Sequence, residues 1–288
     1  MQISKNNYIH PVGSGDTFTV SVGMLPKKFN NYFVESCRAA EEIYSQKQGR
    51  LYLLYSGGID SEYALSVFLQ LKMDVTPVII SLDPDYNQFD ISYALDFCNK
   101  KNITPLVVNL DFDNFVRSGK LLEVSKICRS EVYHRAATAY VAGQLDGTIL
   151  LGDGEPYIKK NNLWDIEIYE HDYAVWNYFI AKGIYGTPHF NRYTPEMLLS
   201  FFADVRIAGL ANDRVPGKLS SNSSKFIVYN RDSNFGLKER PKYHGYEKIE
   251  TSEICQHEAF QELKILGQQW NGVYSANYFN FMKDYDCR

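Results

Sequence analysis

The chain has 288 residues, 45% of them apolar, and carries 30 basic against 34 acidic side chains for a net charge of −4. That is enough for an ordinary core in one large domain or two small ones, and the near balance of charge excludes a global field for nucleic acid or an anionic membrane. The start, Met1 to Tyr8, lacks the apolar stretch of a signal peptide, and no run approaches the roughly 20 apolar residues needed to span a bilayer, so a cytoplasmic protein is expected.

Residues 1–24 carry turn signals from Pro11 to Gly15 and then an alternating stretch, Thr17 to Val22, that reads as a half-buried strand. Phe29, Tyr32, Phe33, Cys37, Ala40 and Tyr44 recur near helical spacing, which predicts a helix over 28–47 that Gly49 ends. Arg50 to Tyr55 is an apolar run with the length of a buried strand, and it stops at Ser56-Gly57-Gly58-Ile59-Asp60-Ser61. Tyr63, Ala64, Val67, Phe68 and Leu71 then form the stripe of a helix that Asp60 or Ser61 can cap. Val75 to Leu82 reads as a second strand, with Pro77 near its start, and Gln88 to Lys101 as the next helix.

Thr104 to Leu110 is a third strand, 111–126 holds a short helix, 129–145 a clearer one, and Gly147 to Leu151 a fourth strand ending in Gly152-Asp153-Gly154-Glu155. Strands alternating with helices over 50–151 predict an α/β fold with a doubly wound parallel sheet, Rossmann-like in type. Ligands of such sheets bind at the carboxyl ends of the strands, onto which both glycine turns would open. Beyond Lys160 the rhythm changes. Leu163 to Tyr169 alternates like an antiparallel strand that could pair with Thr17 to Val22, while 172–182, 194–210 and 256–268 read as helices. The expected layout is an accessory strand and helix over 1–49, a core over 50–160 and a mostly helical substrate or lid region over 161–288.

The five cysteines, Cys37, Cys98, Cys128, Cys255 and Cys287, are far apart, which argues against zinc ribbons and iron–sulfur sites. Reduced structural thiols are expected. The histidines are equally scattered. The 22 Tyr and 17 Phe suit either a lined cleft or ordinary core packing.

A phosphate needs donors close in and no side chains in the way. Gly57 and Gly58 let the backbone approach, the first amides of the following helix point outward, and Ser56 and Ser61 add hydroxyls. Asp60 would repel phosphate unless a cation lies between them, and Mg²⁺, held typically by one or two carboxylates plus phosphate oxygens, is the natural mediator. The plain alternative is a glycine turn with a capping aspartate. No Gly-x-x-x-x-Gly-Lys-Ser/Thr sequence is present, which argues against γ-phosphate transfer.

The Ser56 to Ser61 turn, between a strand and a helix, resembles the signature of the PP-loop ATP pyrophosphatases, which cleave ATP between its α and β phosphates. With the strand 147–151 and Gly152 to Glu155, the pattern is similar to the synthetase domain of asparagine and β-lactam synthetases. It departs at Glu155-Pro156-Tyr157, where that family carries an acidic pair, and barely 50 residues precede the loop, so no glutaminase domain is expected there. The resemblance implies ATP and Mg²⁺ as cofactors and an AMP-forming ligase. Its nucleotide contacts would be Ser56, Gly57, Gly58, Ile59, Asp60, Ser61, Ser81, Leu82, Gly152 and Gly154, and its metal ligands Asp60 and Asp153. Asp60, Asp153, Glu155, Lys159, Arg240 and Lys242 are the expected catalytic set, the cations facing a departing pyrophosphate. A loop over 186–196 could cover the nucleotide.

The expected partners are a small-molecule or nucleobase acceptor and an amine or ammonia donor, with a homodimer left open and no membrane or general nucleic-acid binding. Within the same superfamily, a deazaguanine-synthase-like or sulfonucleotide-reductase-like activity stays open, the latter resting on Cys287. A noncatalytic nucleotide-binding module is the alternative from another class.

Overall fold

A computed structural model of the protein describes residues 9–11, 20–22, 28–153, 157–159, 162–207, 222–238 and 246–277. Two short strands, β1 (Ile9–Pro11) and β2 (Val20–Val22), pair antiparallel with each other. Helix α1 (Tyr32–Gln46) follows, its first turn capped by the Asn31 side chain, which accepts from the Val34 amide at 2.9 Å. Then comes the alternation expected from the sequence: β3 (Arg50–Leu54), α2 (Ile59–Gln70), β4 (Thr76–Asp83), α3 (Gln88–Lys100) and β5 (Leu106–Asp111). Helices α4 (Phe112–Arg117), α5 (Lys120–Cys128) and α6 (Tyr133–Ala142) lead to β6 (Gly147–Leu151). The stretch expected to hold one short helix before residue 126 therefore holds two.

Side chains alternate across the sheet as its two-residue period requires. In β3, Leu51 and Leu53 enter one core, with α1, α2 and α3, while Leu54 enters the other, with α4, α5 and α6. In β6, Leu150 faces the first core and Ile149 and Leu151 the second. The sheet is parallel and covered by helices on both faces, an α/β doubly wound fold. Helix α2 is buried on nearly every side, since Ser61 to Phe68 are all inaccessible, and it packs on α1. A helix enclosed in this way has little freedom to move the turn at its start.

After β6 come β7 (Tyr157–Lys159) and β8 (Asn162–Tyr169), then α7 (Ala174–Lys182), β9 (Gly186–Thr187), α8 (Pro195–Ile207), α9 (Asn222–Arg231), α10 (Glu247–Thr251), α11 (Glu258–Gly267) and β10 (Val273–Asn277). The alternating stretch 163–169 is a strand as expected, but its partners are β7 and β10, both antiparallel. The described part of the expected partner, β2, pairs with β1 instead, and β8 takes the strand that directly precedes it in the chain. A second departure lies at 186–196. This segment does not cover a ligand as a surface loop: Gly186–Thr187 is the fifth strand of the parallel sheet, beside β6, and the residues after it are buried.

Among the described residues the sheet order is β5-β4-β3-β6-β9. The chain winds outward from β3 to β5, then crosses back to the other side of β3 for β6 and β9. The strand direction of winding therefore reverses between β3 and β6. That crevice, at the carboxyl ends of the two strands, is where open α/β sheets accept ligands.

The aromatic surplus packs the first core. Tyr63 stacks on Tyr229 with ring centroids 4.2 Å apart, and Tyr32 lies 5.5 Å from Tyr63. Each hydroxyl finds a polar partner: Tyr32 donates to the Asn191 carbonyl at 2.8 Å, and Tyr63 to Ser36 Oγ at 2.9 Å. Cys37, Cys98, Cys128 and Cys255 stand in no disulfide. Burial pushes the thiols of Cys37 and Cys98 up to about 11 and that of Cys128 up to about 12, so all three stay protonated at neutral pH. Cys287 lies outside the described residues. Among the described residues, no helix is long and apolar enough to cross a membrane.

Candidate functional site

The two glycine turns lie against each other. A Cβ added to Gly152 would fall 2.6 Å from the Ser61 Cα and 2.8 Å from the Asp60 carbonyl oxygen, so the end of β6 touches the first turn of α2 and leaves no room for a side chain. Gly57 has φ +80°, and a Cβ there would lie 2.4 Å from the Asp90 carbonyl oxygen of α3. Only glycine meets both conditions. The turn is thus wedged between α3 and the end of β6, and its shape is set before any ligand arrives.

Within the turn the serines first organise the backbone. Ser56 Oγ accepts from the Gly58 amide at 3.2 Å and lies 3.1 Å from Ser61 Oγ, which also lies 3.1 Å from the Gly58 carbonyl. Gly58 is the N-cap of α2, without a side-chain cap bond, so neither Asp60 nor Ser61 caps the helix as expected; both lie inside its first turn, after Ile59, which is half-buried against the first core. Asp60 and Glu62 follow in the first turn, where negative charge suits the helix dipole. Glu62 is buried and accepts from the Tyr55 hydroxyl at 2.9 Å.

Asp60 has partners that sequence reasoning missed. Lys225 Nζ on α9 donates to its Oδ2 at 3.1 Å, and the Tyr229 hydroxyl, one turn further along α9, donates to its Oδ1 at 2.7 Å. Lys225 and Tyr229 share a face of α9 by their four-residue spacing. The ammonium is largely withdrawn from solvent, its side chain 12% exposed. A cation therefore already stands at the carboxylate that would otherwise repel a phosphate.

Beside the turns lies a cavity of about 270 Å³. Ser56 and Ser61 line one part of it and Gly152 and Asp153 another. Leu82 and Asn87 line it from the β4 side, and His134, Arg135 and Thr138 from α6. Tyr246 closes a further side, its ring parallel to that of His134 with centroids 5.2 Å apart. Arg135 is anchored, donating to the His171 carbonyl at 3.0 Å and to Asp172 Oδ1 at 3.2 Å. Burial, with Asp90 and Tyr133 adding to it, raises the Tyr246 hydroxyl well above the usual phenol range, so it stays protonated.

The β6 turn is buttressed from behind by residues 189–191. Gly152 makes an isolated antiparallel bridge to His189, the Asn191 side-chain amide donates to the Gly152 carbonyl, and the Asn191 backbone amide donates to the Asp153 carbonyl at 3.1 Å. His189 is buried, its Nε2 2.8 Å from the Asp172 carbonyl and its ring parallel to Trp176. Burial, followed by the Arg192 guanidinium, lowers its pKa well below the ordinary histidine value, so it is neutral at pH 7.

Of the residues singled out in the sequence, Ser56, Gly57, Gly58, Ile59, Asp60, Ser61, Leu82, Gly152 and Asp153 gather at the carboxyl edge of β3, β4 and β6. Ser81 lies on β4 and leans toward Asp83, 3.4 Å from its Oδ1. Lys159 stands in β7, in the separate antiparallel sheet. Gly154, Glu155, Arg240 and Lys242 lie outside the described residues. Among the described residues, no three His, Cys, Asp or Glu side chains converge on one point that could hold a metal by themselves. Asp60 and Asp153 are two carboxylates at one edge, a donor set suited to Mg²⁺ only when a ligand supplies further oxygens. Lys225 could have been suspected from its spacing to Tyr229, although nothing local links α9 to the turn.

No family model matches the sequence, and no curated protein matches it. Among solved structures, the NMN synthetase of Francisella tularensis aligns with 74% of this chain and 98% of its own length, at 14% identity and a TM-score of 0.33. The reading of the site accordingly rests on this chain's own residues and geometry.

Proposed function

We propose that the protein is an ATP-dependent, AMP-forming synthetase of the PP-loop kind. In this reading a carbonyl-type oxygen of a small-molecule or nucleobase acceptor attacks the α-phosphorus of ATP, pyrophosphate leaves, and an amine or ammonia then displaces AMP from the adenylated carbon. The observation that carries the reading is the Ser56 to Ser61 turn, opening onto a cavity at the point where the winding of a parallel sheet reverses.

The remaining support is chemical. The first backbone amides of α2 offer donors to phosphate oxygens, and the helix dipole adds about 0.3 to 1 kcal/mol. That is too little to hold a polyphosphate, so fixed cations must carry most of the binding. Lys225 supplies one, able to bridge Asp60 and a phosphate oxygen. Lys225 and Tyr229 each donate to one carboxylate oxygen of Asp60, which holds the ammonium beside the turn. Asp60 and Asp153 would hold Mg²⁺ together with phosphate oxygens, and the ion would supply further neutralisation of the leaving pyrophosphate. Asp153 and the anchored Arg135 both line the cavity. Catalysis in such a site comes from positioned donors and charge and requires no protein nucleophile.

The test is to incubate the protein with ATP, Mg²⁺ and a panel of carboxylate, amide and nucleobase acceptors with ammonia, and to separate the nucleotide products. AMP with pyrophosphate is expected. ADP with orthophosphate would refute the reading.

A further inference from the structure

Strand β4 outruns its neighbour. The last bond from the β3 side is the Tyr55 amide donating to the Val78 carbonyl at 2.8 Å, after which the chain turns away at Ser56. In a parallel ladder alternate residues of a strand direct their backbone groups to the same side. The Ile80 carbonyl and the Leu82 amide therefore face the space that β3 has left, on the cavity wall. There they are met by a side chain. Asn87, 6% exposed, donates through Nδ2 to the Ile80 carbonyl at 2.7 Å and accepts through Oδ1 from the Leu82 amide at 2.9 Å. Those two partners fix the orientation of the carboxamide. Asn87 occupies the N-cap position of α3 yet makes no side-chain cap bond, so it forgoes the usual role of an asparagine there.

A strand carbonyl and the amide two residues on form an acceptor and donor pair. Adenine presents the complement along one edge, with its N6 amino group donating and N1 accepting, as the Asn87 carboxamide does. Resting on the proposed use of ATP, we infer that Asn87 is an internal mimic of the adenine edge that holds the base subsite at Ile80 and Leu82 closed until a nucleotide displaces it. Adenine replaces both bonds in kind, whereas guanine, with O6 accepting and N1 donating, sets acceptor against acceptor and donor against donor. The gate therefore favours ATP over GTP, because only adenine repays the loss of the two Asn87 bonds. Tyr246, which also bonds Asn87, leaves the displaced carboxamide a neighbouring partner on the cavity wall.

The experiment is calorimetric titration of ATP and GTP into the full chain and its Asn87→Ala variant, with melting temperatures taken without nucleotide. Removing a competing internal occupant raises apparent affinity. The variant is expected to melt lower and yet bind ATP about tenfold more tightly, with GTP binding left weak. Weaker or unchanged ATP affinity in the variant, beside tight binding by the parent, would make Asn87 a loop brace and overturn the gate while leaving the synthetase reading intact. A second measurement uses the parent alone. The Asn87 side-chain amide resonances should shift and lose exchange protection on saturation with adenosine, and unmoved signals would also overturn the gate. If neither parent nor variant binds any adenine nucleotide, the synthetase reading fails and the gate with it.

Discussion

Asp60 shows how one side chain can be read in two ways. As the second residue of a buried helix it could be a mere first-turn carboxylate. Its contacts with Lys225 and Tyr229 instead tie the glycine turn to α9, 165 and 169 positions away in sequence. If Lys225 faces the leaving pyrophosphate, removing its charge should act on the chemical step more than on the fold. Lys225→Met is expected to lower turnover about a hundredfold, in the range seen when one positioned electrostatic group is lost, and Lys225→Arg to recover part of it. Pyrophosphate release under saturating ATP measures both, and full activity in the Met variant would remove Lys225 from the mechanism.

At the scale of elements, the site depends on how closely β6 approaches α2. The strand ends in Gly152 because any Cβ would strike the Ser61 backbone, and backbone cannot move aside as the end of a flexible side chain could. Gly152→Ala should push the two turns apart at a cost of about 1 to 3 kcal/mol, as overpacking usually does. Urea unfolding would measure that loss, and ATP affinity would fall with it, since Asp153 and Ser61 line the same cavity. A variant with parent-like stability and binding would mean that the contact is slack. Behind β6 the residues 189–191 act as a buttress, which is why a segment expected over the nucleotide is found beneath the turn.

For the whole molecule, a buried neutral histidine couples stability to pH. His189 has a folded-state pKa well below its ordinary value, through burial and then Arg192. Below about pH 6.5 the unfolded chain therefore binds a proton that the folded chain does not. Its contribution is fully present above the unfolded value and is lost as pH falls from there toward the folded one, by up to about 1.4 kcal/mol per pH unit. His171, lowered by burial against the opposing pull of Asp172, acts in the same direction. Denaturant midpoints should fall between pH 7.5 and 5.5, and His189→Asn should flatten that slope even if it lowers stability throughout. An unchanged slope in the variant would place the acid sensitivity elsewhere.

The sequence by itself determined the alternation of strands and helices over 50–151 and the place of the Ser56 to Ser61 turn between β3 and α2. Period and turn residues are local signals, and the strands and most helices of that stretch stand where those signals end. Tertiary structure alone decided that a two-residue strand at Gly186 joins the sheet, that β8 pairs with β7 and β10, that Lys225 meets Asp60 and that Asn87 bonds the end of β4. A two-residue strand is too short to carry a period. Lys225 lies on a helix whose own pattern does not name its neighbour, and Asn87 looks like an ordinary cap until β4 is seen to outrun β3. Each of these depends on packing between segments distant in the chain, where the partner is set by the shape of two cores on either face of one sheet.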